Sequence, residues 1–275
     1  MGAPTLSDPI AQGYYQQGLQ ELAAAHSADA VLQKADALAR HDSRAHRMEA
    51  ACYYLAAAQF LESRDPGKSA HAYHQAGRQL HAIDLFLQAA RAFAQSGEWA
   101  ERAAHAEPQQ PVRQQLQHAA VRAYSRANHC FAEAGELDES ETAYLKERDA
   151  RVGWARMRGR HPIGLLAWKA ASNFGTSLPR LMSWVIGSTA LFSLLYELFY
   201  RLHWLQPMSG TEPADWIPVW SGFYYAVNVT SSLALVEYQP VHPISQAIVM
   251  LNVIAGYLFL GVGIGIVGHL IKSRA

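Results

Sequence analysis

Ser231-Ser232-Leu233-Ala234-Leu235-Val236-Glu237-Tyr238-Gln239-Pro240 decides how this 275-residue chain is read. It lies within 56 residues, Trp216 to Ile271, in which Glu237 is the one Asp, Glu, Lys or Arg. A carboxylate at bilayer depth costs roughly 2.5–3.5 kcal/mol on insertion scales. Glu237 is therefore expected where water reaches it. A short apolar helix precedes the stretch and a long one follows. Irregular backbone at membrane depth is tolerated only where it is buried in protein or lines a wet cavity. That places residues 232–240 at the axis of an oligomer.

The charges divide the chain. Of 46 Lys, Arg, Asp and Glu residues, seven lie after position 180. Residues 1–155 are Ala-rich and charged, and are read as an aqueous, cytosolic domain long enough to bury its own core. The net charge of +0 suggests no nucleic-acid partner. Cys52 and Cys130 lack CxxC spacing and are expected as reduced, buried thiols. The first residues show neither the basic nor the apolar region of a signal peptide, so this half is expected in the cytoplasm.

From residue 10 to 150 the apolar spacing is helical and nothing reads as a strand. Breaks are expected at Asp65-Pro66-Gly67, Ser96-Gly97, Glu107-Pro108, Pro111 and Ala134-Gly135. An internal echo runs through them. Ala92-Phe93-Ala94-Gln95-Ser96-Gly97-Glu98 resembles Cys130-Phe131-Ala132-Glu133-Ala134-Gly135-Glu136, and a weaker copy starts at Gln59-Phe60. In this unit the small residue lets helices approach, the aromatic fills the groove, and the glycine is expected as a left-handed helix cap. The pattern resembles tetratricopeptide or SNAP-like repeats, which implies an α-solenoid with a groove for a peptide or protein partner. His71, His74 and His81 share a helical stretch without a partner glutamate or cysteine set, so they are read as solvated and no metal or cofactor is expected. No phosphate-cradling loop or nucleophile–base set is present, and Gly261-Val262-Gly263-Ile264-Gly265 sits inside an apolar helix. The chain is not read as an enzyme.

Residues 156–176 read as a linker and interfacial helix, His161-Pro162-Ile163-Gly164-Leu165-Leu166-Ala167-Trp168-Lys169-Ala170-Ala171. The third domain, 177–275, holds a first crossing over 181–202, a short helix over 217–233 and a second crossing over 244–271. Glu197 is expected to reach water or pair with Arg201. Basic residues at 151–180, with Lys272 and Arg274, put both ends on the cytoplasmic side of a multi-pass protein. The Ala-rich, Arg-over-Lys composition is compatible with a GC-rich bacterial genome, so the expected location is a bacterial inner membrane.

Residues 181–272 resemble the two-transmembrane pore module of the potassium channel superfamily. Tyr224-Tyr225 fall on the aromatic pair that braces the filter, Thr230-Ser231-Ser232 on the hydroxyl-bearing end of the pore helix, and Glu237 on the acidic residue after the filter. Pro240 falls on the outer turn and Gly256 on the gating hinge. The resemblance implies a homotetramer in a lipid bilayer, a re-entrant pore helix, and Tyr257, Leu260, Ile264 and Gly268 lining the cavity. The overall class is all-α. The filter departs from the family pattern: Thr-Val-Gly-Tyr-Gly becomes Ser232-Leu233-Ala234-Leu235-Val236. Holding Ala234 and Val236 left-handed costs about 1–2 kcal/mol each, or roughly 8–16 kcal/mol over four subunits. A potassium-type ladder of four carbonyl rings is not expected on that ground. A Glu237 ring, hydroxyls of Ser231 or Ser232 and a shorter carbonyl set remain, and they imply a weakly selective cation pore. The glycine-rich last helix is read both as a bendable gate and as close packing through Gly261 and Gly265. The alternative function is a membrane-anchored repeat scaffold with a non-conducting pore fold.

Overall fold

The computed structural model describes residues 9–25, 27–208, 215–232 and 238–272. The chain divides into two compact units, Met1–Ile163 and Gly164–Ala275. Eleven helices and one pair of three-residue strands are found among the described residues, so the expected all-helical class holds with a small addition.

The first unit holds α1 (Pro9–Ala25), α2 (Ala28–Leu38), α3 (Arg44–Leu61), α4 (Pro66–His81), α5 (Phe86–Ala106), α6 (Gln110–Glu133) and α7 (Leu137–Met157). From α3 onward each helix packs on the next in chain order. Starts are set by local chemistry. Ser27, Ser43 and Asp65 accept from backbone amides of the first turns of α2, α3 and α4, satisfying donors the helix leaves open. Two turns close through left-handed residues, Asp84 after α4 and Gly135 after α6. In each, the next residue's amide bonds back to the helix: Leu85 N–H to the Leu80 carbonyl at 3.1 Å and Glu136 N–H to the Phe131 carbonyl at 2.9 Å.

The expected break at Ser96-Gly97 is corrected: α5 runs through it from Phe86 to Ala106. Gly97 is not a cap. A Cβ there would lie 2.6 Å from the Tyr124 ring of α6, so the glycine makes room for a neighbour's aromatic. Gly77 of α4 does the same for Phe93 of α5, at 2.8 Å. Serine hydroxyls repeat beside them. Ser69 donates to the Ala58 carbonyl at 2.9 Å and Ser96 to the Ala70 carbonyl at 2.8 Å. Each tethers a helix to its predecessor where alanines let the backbones close. Buried tyrosines reach carboxylates at the rim: Tyr73 donates to Glu62 at 2.6 Å, Tyr124 to Glu101 at 3.0 Å, and Tyr54 to Asp36.

The second unit holds α8 (Ile163–Ser172), α9 (Leu178–Arg201), β1 (Leu205–Pro207), α10 (Trp220–Ser231), β2 (Tyr238–Pro240) and α11 (Pro243–Lys272). Two helices are long and apolar enough to cross a membrane, α9 and α11. At 24 residues α9 is about 36 Å long, against a hydrocarbon core of about 30 Å. Its Trp184, Ile186, Leu191 and Leu194 are exposed, as a lipid-facing helix requires. β1 and β2 pair antiparallel, Leu205 opposite Pro240 and Pro207 opposite Tyr238.

Replacing Gly97 by alanine tests the packing role. Helix propensity alone favours alanine by about 1 kcal/mol, whereas overpacking against Tyr124 costs about 1–3 kcal/mol. The Gly97→Ala protein is expected to melt several degrees lower by circular dichroism. An unchanged or raised midpoint contradicts the assignment.

Candidate functional site

The resemblance singles out α10 and its surroundings, and the geometry there is built by close helix contacts. α10 packs on both α9 and α11. Gly222 admits α9: a Cβ on it would lie 2.7 Å from the Ser193 carbonyl oxygen. Gly256 admits α10 still more tightly, since a Cβ there would lie 2.0 Å from the Thr230 carbonyl oxygen. No residue but glycine fits that place in this arrangement.

A buried polar set fastens the same contact. Asn252 of α11 is fully buried. Its amide nitrogen donates to the Tyr196 hydroxyl at 3.1 Å and the Ala226 carbonyl at 3.3 Å. The Thr230 hydroxyl lies 2.8 Å from both the Ala226 carbonyl and Asn252 Oδ1, and gives its proton to one of them at a time. Small residues and interhelical hydrogen bonds thus carry this packing.

The helix expected over 217–233 is shorter, Trp220–Ser231. At its start, Pro218 and the left-handed Val219 (φ 69°) bend the chain. The Ile217 amide donates to Ser221 Oγ at 2.9 Å instead of entering a helical ladder. At its end, Ser232 turns left-handed at φ 55° and stops the helix.

Tyr224 and Tyr225 part company. Tyr225 is buried, edge-on to Tyr196 at 4.7 Å, and donates to the Tyr238 carbonyl at 3.2 Å. Tyr224 is exposed. The Ser231 hydroxyl turns back onto the Val227 carbonyl at 2.7 Å, and Ser231 and Ser232 are both exposed. Leu233, Ala234, Leu235, Val236 and Glu237 lie outside the described residues. Tyr257, Leu260, Ile264 and Gly268 are exposed along α11. The close packing expected through Gly261 and Gly265 is not made among the described residues, where a Cβ added at either would meet nothing within 4 Å. Gly256 makes it instead.

Glu197 pairs with Arg201 as expected, with Nη2 at 3.1 Å, and does more. It accepts from Trp216 Nε1 at 2.8 Å and from the Val219 amide at 3.4 Å. Around it Tyr200 stacks on Trp216 at 4.3 Å, and Tyr238 meets Trp216 edge-on at 5.2 Å. Trp204 stacks on His242 at 4.0 Å. One carboxylate and an aromatic cluster thus hold together the end of α9, the entry to α10 and β2. Sequence reasoning missed Asn252, Tyr196 and Trp216. Asn252 carried a signal, being an amide in a helix otherwise built of apolar and small residues.

In the first unit α4 and α6 carry histidines and arginines. Arg126 Nη1 donates to His74 Nε2 at 2.7 Å, which requires a neutral ring there. Burial, then the charges of Arg126, His71, Arg122 and Arg78, push the His74 imidazole down to about 4. Unfolded, it titrates near 6.5. Between those values the unfolded chain binds more protons, so stability rises with pH. The contribution is complete above about 6.5 and is lost as pH falls toward 4. The melting midpoint of the first unit should therefore drop between pH 7 and pH 5, and drop less in His74→Gln. An equal drop in both contradicts the assignment.

For the α10–α11 contact, Gly256→Ala forces the Thr230 carbonyl away. A loss of about 1–3 kcal/mol is expected, read as a lower melting temperature of the detergent-purified protein. Gly261→Ala, which meets open space, serves as the contrast and should leave the midpoint nearly unchanged.

No protein-family model matches this chain, and comparisons with curated proteins and with solved structures find no match.

Proposed function

We propose that the chain is a subunit of a tetrameric membrane channel, a weakly selective cation pore regulated through a cytosolic helical-repeat domain. The observation that carries this reading is the arrangement of two apolar helices, α9 and α11, around a 12-residue helix too short to cross. A short helix held at bilayer depth by two crossing helices is what a re-entrant pore helix needs. Its C-terminal end leads directly into residues 232–237, the proposed filter.

In this reading α9 faces lipid, and copies of α10 and of the exposed face of α11 meet around the axis. Glu237 forms an acidic ring that draws cations and repels anions. Serine hydroxyls and a short set of backbone carbonyls follow. Tyr225 braces the filter from inside the subunit, and the exposed Tyr224 meets the neighbouring subunit. Leu260 and Ile264 close the cavity by dewetting. Gly256 serves as hinge, and its contact with Thr230 makes bending of α11 felt at the end of α10. The first unit acts as an α-solenoid: successive helices packed in chain order support it, as do the repeated Gly77–Phe93 and Gly97–Tyr124 contacts. It binds a peptide or protein partner and transmits that event through α8.

Purified protein in planar bilayers tests the reading. Cation currents are expected, and Glu237→Gln should shift the reversal potential toward reduced cation-over-anion preference. Intact tetramers that pass no current would instead assign the chain to a membrane-anchored repeat scaffold.

A further inference from the structure

The C-terminal ends of α4 and α6 bring His81 of one helix beside Cys130 and Glu133 of the other. His81, Cys130 and Glu133 each offer one ligand atom, and these atoms all lie within 4.8 Å of one another. His81 Nε2 is 3.5 Å from one Glu133 oxygen, and His129 Nε2 is 3.3 Å from the other. Cys130 is buried, while His81 and Glu133 reach the surface. Packing does not call for the sulfur. In the internal echo the place of Cys130 is taken by Ala92, which is also buried.

We propose that His81, Cys130 and Glu133 form a binding site for a divalent transition metal, with Zn²⁺ the ion best suited. Nitrogen, sulfur and carboxylate oxygen from three residues are a zinc donor set, with solvent in the fourth position. His129, on the second Glu133 oxygen, orients that carboxylate from outside the coordination sphere. Burial and the Glu133 charge hold the thiol protonated up to about 11. A bound cation supplies the charge that releases the proton. The ion would tie α4 directly to α6, which are joined in the chain through α5. The site has an open position and a surface approach, so the metal exchanges with the medium. It does not depend on the pore reading.

Cobalt titration of the full-length, reduced, detergent-purified protein tests this. One equivalent of Co²⁺ should bind with a sulfur-to-cobalt charge-transfer band and visible bands of tetrahedral intensity, and Zn²⁺ should displace it. Cys130→Ala, which installs the residue found in the echo, should fold with its helix content intact and lose the charge-transfer band. His81→Ala should weaken binding at least about tenfold. No such band in the native protein, or a band that persists in Cys130→Ala, overturns the site.

Discussion

The Thr230 carbonyl lies where a Cβ on residue 256 would stand, and the second unit is organised by that constraint. In the proposed membrane setting, lipid tails are as apolar as the side chains they surround, so burial does not drive one helix onto another. The helices must come together through van der Waals contact and polar bonds. Gly222 and Gly256 bring α9 and α11 to within backbone distance of α10. Asn252 of α11 then bonds to α9 through the Tyr196 hydroxyl and to α10 through the Ala226 carbonyl. The result fixes the C-terminal end of α10, which is the last described point before residues 233–237.

In the proposed aqueous setting, the first unit solves a related problem. There the hydrophobic effect is available, and alanine-rich faces bury readily. What remains is register, and small-to-large pairs set it: Phe93 over Gly77 and Tyr124 over Gly97. Serine-to-carbonyl bonds between successive helices repeat the device in polar form. Tyrosines whose rings are buried and whose hydroxyls reach rim carboxylates add polar satisfaction at the edge of the core.

Much of this was legible in the sequence. The two helices long and apolar enough to cross a membrane follow from length and hydropathy, and the helical character of residues 10–150 follows from periodicity. Gly135 was readable as a cap because a polar turn follows it. Gly97 was misread because its reason is Tyr124, on another helix, which local sequence does not show. The early start expected for α10 failed for a similar reason. Pro218 can open a helix, but a carboxylate 21 residues upstream, Glu197, accepts from Trp216 and Val219 and holds the entry irregular. The β1–β2 pair was invisible, since three residues carry no periodicity. The meeting of His81 with Cys130 and Glu133 depends on how two helices pack across a third.

The helix arrangement carries the proposed function, and the environment of the carboxylate at position 237 tests it. An isolated acid in a long apolar run has to meet either water or lipid, and the pore reading requires water. Thiol labelling of Glu237→Cys in sealed vesicles measures this most directly. The account predicts fast modification by a membrane-impermeant, charged reagent from the outer face, with the ion flux through the protein altered as it reacts. Protection from that reagent, with labelling only by a lipid-soluble one, would contradict it.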